Sequence, residues 1–254
     1  SVPFTWRLLH AETRAMRREM EGFKVRVGGP AVTLRPDVLP PRWRRWPCAD
    51  ALPHHNPDAT FTSRGCIRQC PFCAVPRIEG DLIELATWDS KPIVCDNNLL
   101  ACSVRHFDRV IDSLKGLKGV DFNQGLDARL LTAHHVDRLR ESDLYVVRFS
   151  WDSVSDERCV MDAVARFPKR LVRVYVLIGF NDSPDDALYR LETLRGAGIR
   201  PNVMRYQPLT ALRRNDYVAP GWTEAELRRY SRYWNRLRWL EHIPFCEYER
   251  GQCE

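Results

Sequence analysis

Residues 59–210 alternate strand-like and helix-like segments through six successive units, and that alternation restricts the fold more than any other feature. Segments 59–63 (ATFTS), 92–97 (PIVCDN), 119–124 (GVDFNQ), 144–152 (LYVVRFSWD), 171–180 (LVRVYVLIGF) and 200–209 (RPNVMRYQPL) read as strands. Phe107, Val110, Ile111 and Leu114 recur at helical spacing after the second. Further helices fall around 134–141 and in DERCVMDAVARF. Ser183 before Pro184 predicts an N-cap and a first helical residue, with Gly196 and Gly198 as stops. Thr223 and Glu226 form a capping box that opens a last long helix.

The strands carry two unlike faces. In the fifth, Val172, Val174, Val176 and Ile178 share one side, and Arg173, Tyr175, Leu177 and Gly179 the other. In the fourth, Val147, Phe149 and Trp151 oppose Arg148, Ser150 and Asp152. A doubly wound sheet needs both faces apolar. One apolar and one mixed face predicts a curved sheet that holds a ligand on its concave side. The expected fold is therefore α/β, an open partial (β/α)6 barrel with its chemistry at the C-terminal ends of the strands. Strand alternation makes Arg148, Arg173, Tyr175, Arg205 and Gln207 candidate concave-face residues.

Residues 1–58 break the pattern. VPFTW and FKVRVGGP read as strands around a helix, followed by the Pro- and Arg-rich TLRPDVLPPRWRRWP. The predicted organisation is a small βαβ-like segment with a linker over 1–58, the barrel over 59–210 and a helical extension over 211–254. Ser1 opens inside a strand-like run, so residues are expected before it.

At 44% hydrophobic and 28% charged residues the chain reads as soluble and globular. No apolar run approaches a membrane span, and the N-terminus turns charged too early for a signal peptide. Nine cysteines without an export signal predict a reducing, cytoplasmic setting with metal or redox roles ahead of disulfides. A net charge of +6 permits an anionic partner without demanding one.

Three of the cysteines, Cys66, Cys70 and Cys73, stand together as Cys-x3-Cys-x2-Cys directly after the first strand. A structural zinc site wants four closed ligands, and the nearest others are His54 and His55 across that strand. A cubane iron–sulfur cluster has four irons, so three thiolates leave one iron open for a small molecule. The spacing, with Phe72 before the last cysteine, resembles the signature of the radical S-adenosylmethionine (radical SAM) superfamily. Residues 62–65 (TSRG) and 75–80 (VPRIEG) resemble its methylthiotransferase and cobalamin-dependent branches.

The resemblance implies a radical SAM barrel with a [4Fe–4S] cluster on Cys66, Cys70 and Cys73, and S-adenosylmethionine (SAM) on the fourth iron. It implies reductive cleavage of SAM to a 5′-deoxyadenosyl radical that abstracts hydrogen from a substrate. It also implies a reductant such as flavodoxin or ferredoxin. By the same resemblance the backbone at Phe72 meets adenine, and Asp96 or Asn97 receives the SAM ammonium where relatives carry Gly-Gly-Glu. Asp127 and Arg129 occupy family positions, Ser150 and Asp152 face the ribose, and Gly179 supports adenine. The alternative is a structural Asp127–Arg129 ion pair and a helix-capping Asp152.

Absences narrow the subclass. Only Cys48 lies upstream, too few for a second N-terminal cluster, and no Asp-x-His-x-x-Gly cobalamin triplet exists. Residues 27–33 resemble the end of a cobalamin domain, so 1–47 reads as its remnant without the site. His242, Cys246 and Cys253 form a loose C-terminal trio that either holds a metal or is two ordinary thiols. On the last helix Leu227, Tyr230, Trp234 and Leu237 form a core stripe. Arg228, Arg229, Arg232, Arg236 and Arg238 lie largely off it, and Arg42, Arg44 and Arg45 add a second basic patch; both suit nucleic acid or a solvated face. The leading function is a radical SAM enzyme with an unidentified substrate. The rivals are a non-catalytic iron–sulfur sensor or nucleic-acid-binding protein, and a zinc-stabilised interaction domain.

Overall fold

A computed structural model of the chain describes residues 26–27, 29–38, 44–45, 52–211 and 213–248. Six parallel strands form its sheet: β1 (Ala59–Thr60), β2 (Ile93–Val94), β3 (Val120–Phe122), β4 (Leu144–Ser150), β5 (Val172–Ile178) and β6 (Pro201–Arg205). They lie side by side in chain order. When the crossovers between strands in unbroken order keep the usual right hand, the helices they carry fall on one side of the sheet. The linking helices are α1 (Val104–Ser113), α2 (Ala133–Leu139), α3 (Glu157–Ala165) and α4 (Pro184–Gly196), with α5 (Glu224–Trp234) after β6.

The sheet's two faces differ as the alternation predicts. Val172, Val174, Val176 and Ile178 of β5 are wholly buried, as are Phe149 and Trp151 on the same side of β4. Burying each such side chain contributes about 1.5–3 kcal/mol, so this side carries the core. Arg148, Arg173, Tyr175 and Leu177 on the other side are half-buried.

β6 departs from the expectation. Its register pairs Val203 with Val176 and Arg205 with Ile178. Arg205 therefore belongs to the helix-covered side, where it is buried against Glu224 at the start of α5. Gln207 is likewise buried against the following loop through Asn215. Charged and amide partners from that loop make the helix side hospitable to polar residues. Met204, exposed, and Tyr206, half-buried, alternate with them toward the open face.

Local signals hold at the helix ends. Ser103 caps α1 and Ser183 caps α4, with Asp186 completing a capping box. Thr223 and Glu226 form the box before α5. The predicted long last helix stops at Trp234 because Asn235 turns to the sheet. Its amide donates to Val203 O at 3.0 Å and accepts from Val203 N at 2.8 Å, acting as a one-residue neighbour strand for the edge of β6. A short helix, Leu237–Leu240, follows.

The first strand is shorter than predicted. After Thr60 the chain leaves the sheet, and Ser63–Arg64 pairs antiparallel with Ile83–Glu84 in a separate ribbon. In the N-terminal region Arg26–Val27 pairs parallel with Arg44–Arg45, and a short helix spans Pro30–Leu34. Most of the expected βαβ-like segment over 1–58, with Arg42, Cys48 and, at the other end, Cys253, lies outside the described residues. Among the described residues no helix is long and apolar enough to cross a membrane.

Candidate metal centre

The ribbon closes the base of the loop that carries the cysteines. Gly65 sits there with φ +72, and an added Cβ would lie 1.9 Å from the Asp81 carbonyl oxygen. Only glycine fits a left-handed residue pressed on a second backbone. Cys66 N donates to Gly80 O at 3.1 Å, extending the closure. Glu79 locks it: one oxygen accepts from Arg64 Nη2 and the other from Gly65 N and Asn97 Nδ2. The two flanks of the motif thus hold each other, a pairing the sequence did not reveal.

Within the loop Cys73 N donates to Cys70 O at 2.9 Å, a tight turn before the helix Val75–Ile78. All three thiols are free and half-buried. Burial pushes the Cys70 thiol up, while the Arg129 and Arg68 cations pull it down. Burial also pushes Cys73 up, against the Val75 N–H that bonds its sulfur, and the other two thiols add to the rise. The three sulfurs are therefore electrostatic neighbours. Polar hydrogens point at them: Arg68 N and Asn98 Nδ2 donate to Cys66 Sγ at 3.4 and 3.5 Å, and Val75 N to Cys73 Sγ at 3.5 Å. Cys102, by contrast, lies buried and is pushed up to about 11, which keeps it a neutral thiol.

Among the described residues no group of three or more His, Cys, Asp and Glu side chains converges as ligands of one metal ion. Cubane ligation does not require that convergence, because each cysteine takes its own iron. The donor set fits such a cluster: three thiols in one loop, N–H donors on the sulfurs and two guanidinium groups nearby.

The strand ends bring other residues to this loop. Asp96 is buried, and its carboxylate accepts from Thr62 N (2.6 Å), Thr62 Oγ1 (2.5 Å) and Ser63 Oγ (2.7 Å). It is a strut beneath the loop. Asn97 is engaged by Glu79. The residue after them, which the sequence reading passed over, reaches Cys66: Asn98 donates to its sulfur and to Asp127, and its Oδ1 is buried without a partner. Asp127 and Arg129 bond each other at 2.7 Å, and Asp127 also holds Arg68 at 2.5 Å. Burial pushes Asp127 up, but the two guanidinium groups outweigh it and hold the carboxyl below its ordinary range.

Asp152 does not cap the turn that follows; Ser153 does. Burial pushes its carboxyl up, against a hydrogen bond from Ser150 and the charges of Arg190 and Arg129. It acts electrostatically on Cys70 and Cys73, so β4 delivers Ser150 and Asp152 to the cysteine side. Gly179 follows β5 with φ +71, and Phe180 stands edge-on to Phe72 with ring centres 5.4 Å apart. Phe180 meets Tyr206 at 4.7 Å and Tyr206 meets Tyr217 at 5.3 Å. An aromatic band therefore runs from the cysteine loop past the ends of β5 and β6.

On the open face Arg148 grips Asp121 with Nε at 3.0 Å and Nη2 at 2.5 Å, and reaches Tyr175 OH at 3.3 Å. Arg173 bonds the carbonyl of Val172. A cavity of about 580 Å³ lies elsewhere, outside the edge of β1 and lined by Pro57, Phe61, Arg64 and Trp88. On the last helix Arg229 is bound to the carbonyls of Phe245 and Tyr248, while Arg232, Arg236 and Arg238 are exposed. Cys246 is exposed. Comparison with protein-family models finds no match, and comparison with curated proteins finds none.

Proposed function

We propose that the chain is a radical SAM enzyme built on an open (β/α)6 barrel, with a [4Fe–4S] cluster on Cys66, Cys70 and Cys73. One observation carries the reading. Three free, half-buried thiols occupy a glycine-pinned loop that leaves the sheet at the end of β1, among the C-terminal ends of sequentially ordered parallel strands. The sequential order supports an open barrel, since with crossovers of the usual right hand it leaves one face of the sheet without connecting helices. When bound, the cluster and SAM supply reductive cleavage of a sulfonium C–S bond and a carbon radical that takes hydrogen from the substrate.

The chain's own residues bind and orient. N–H groups of Arg68 and Asn98 reach Cys66 Sγ and that of Val75 reaches Cys73 Sγ, so both sulfurs are oriented by hydrogen bonds. Asp96 braces the loop from below through Thr62 and Ser63. The buried Oδ1 of Asn98 is an acceptor for a ligand ammonium beside Cys66. Ser150 and Asp152 offer polar groups for ribose hydroxyls, and the Phe72–Phe180 pair forms an apolar lip that excludes water.

The test is anaerobic reconstitution followed by SAM and dithionite. Release of 5′-deoxyadenosine is expected. An intact cluster, verified by its absorption, that releases none would overturn the enzymatic reading.

A further inference from the structure

We propose that the loop joining β6 to α5, with Tyr206 and Tyr217, binds a phosphate-bearing nucleobase as the substrate of the enzyme proposed above. The role as substrate rests on that reading; the binding does not. The loop leaves the same end of the sheet as the cysteine loop, where open α/β sheets hold ligands.

The loop is held from below. Arg205 Nη2 donates to Asn215 O at 3.1 Å, Tyr217 O at 2.7 Å and Glu224 Oε2 at 2.5 Å. Gln207 Oε1 accepts from Asn215 N at 2.9 Å. Asn215 takes φ 59, the left-handed conformation asparagine tolerates. These bonds hold the buried side of the loop, although Arg205 Nε and Nη1 stay buried without a partner, and Tyr217 stands against Tyr206 at 5.3 Å. Arg213 and Arg214 precede Asn215 in the same loop, both exposed, and neither makes an ion pair or hydrogen bond among the described residues. Arg77, exposed on the helix after Cys73, acts electrostatically on Tyr206. Asp216 is the opposing charge in the loop.

Two free guanidinium groups in one loop with half-buried Tyr217, itself against Tyr206, match a phosphate joined to a flat ring. Arginine binds phosphate through its planar fork, and rings stack on bases. Next to the loop the open face carries Met204 and Leu177, and farther across the sheet the joined Asp121, Arg148 and Tyr175 make it polar. The aromatic band makes this site continuous with Phe72 in the cysteine loop.

The experiment is fluorescence anisotropy on the full chain. The probes are labelled single-stranded RNA and DNA of about 12 nucleotides, with unlabelled GMP and AMP as competitors. Saturable binding is expected. Replacing both loop arginines (Arg213→Ser with Arg214→Ser) should weaken it about ten-fold. That variant neutralises two fewer phosphates, so the oligonucleotide salt slope should fall by about 1.4. Tyr217→Leu should also weaken binding about ten-fold. The control pair Arg236→Ser with Arg238→Ser should change nothing. Competition by the mononucleotides at comparable affinity identifies a free nucleotide; displacement only by strands identifies nucleic acid; both support the site. Absence of binding by every probe at low salt, or equal weakening by the control pair, overturns it. Iron and sulfide content measured on the same samples keeps the two proposals apart. Binding without a cluster sinks the enzyme reading alone, and a cluster without binding sinks this one alone.

Discussion

Replacing Arg190 by methionine is expected to remove a large part of the protein's stability. Arg190 projects from α4, is wholly buried and makes its bonds where β4 and β5 part. Trp151 N still bonds Tyr175 O, but the next rung of the ladder is supplied by Arg190 Nη1, which donates to Trp151 O at 2.8 Å and Leu177 O at 3.0 Å. Nη2 holds Asp182 at 2.5 Å, and the other oxygen of Asp182 accepts from Gly179 N and Phe180 N. The pair thus fixes the turn that aims Phe180 at Phe72. Stranding a buried carboxylate costs about 3–5 kcal/mol. Two unpaired carbonyls add about 1–3 kcal/mol each, with overlap as water enters. The expected loss at neutral pH is about 5 kcal/mol by urea unfolding, against a typical total of about 5–15 kcal/mol. Burial already pushes the Asp182 carboxyl up, with Arg190 pulling against it. Without Arg190 the folded value rises further above the unfolded one. The penalty then applies at high pH and is relieved as pH falls through the folded value, so the deficit should shrink on acidification. Adding Asp182→Asn should recover part of the loss. A single variant that loses under about 1 kcal/mol, or a double variant that sums the two losses, refutes the argument.

Three further outcomes follow from the same geometry. Gly65→Ala sets a Cβ on the Asp81 carbonyl in a left-handed residue, so iron loading should be lost while far-UV circular dichroism retains the sheet. Asn235→Ala removes both bonds to Val203, and a loss of about 2 kcal/mol is expected by chemical denaturation. The depressed Asp127 carboxyl contributes stability that is present above its unfolded value, near 3.8, and is lost as pH falls through the lower folded value. Asp127→Asn should accordingly flatten the acid limb of a pH–stability profile, and an unchanged limb would assign acid unfolding to other groups.

The parts of the fold legible in the sequence were those governed by short-range chemistry. Ser183 with Pro184, and Thr223 with Glu226, announce helix starts because the cap and its partner lie within one turn. The apolar side of β5 was legible because four β-branched residues alternate without interruption. β6 was misread because Arg205 and Gln207 look like residues of a wet face. Their burial is made tolerable by Glu224 and Asn215, partners that only the folded loop provides. The first strand was read too long, since nothing local separates Thr60 from Ser63; the break comes from pairing with Ile83–Glu84. At the site the thiol spacing stood out, while the bracing by Asp96 and the approach of Asn98 to Cys66 depend on contacts more than thirty positions apart.

The central claim is that three cysteines hold a cluster with one iron left for a ligand. Electron paramagnetic resonance of the anaerobically reconstituted, dithionite-reduced protein, read before and after addition of SAM, tests it most directly. The account expects about four irons per chain and a reduced-cluster signal that changes on binding SAM. A signal indifferent to SAM, or one tetrahedral metal ion per chain in place of the cluster, would contradict it.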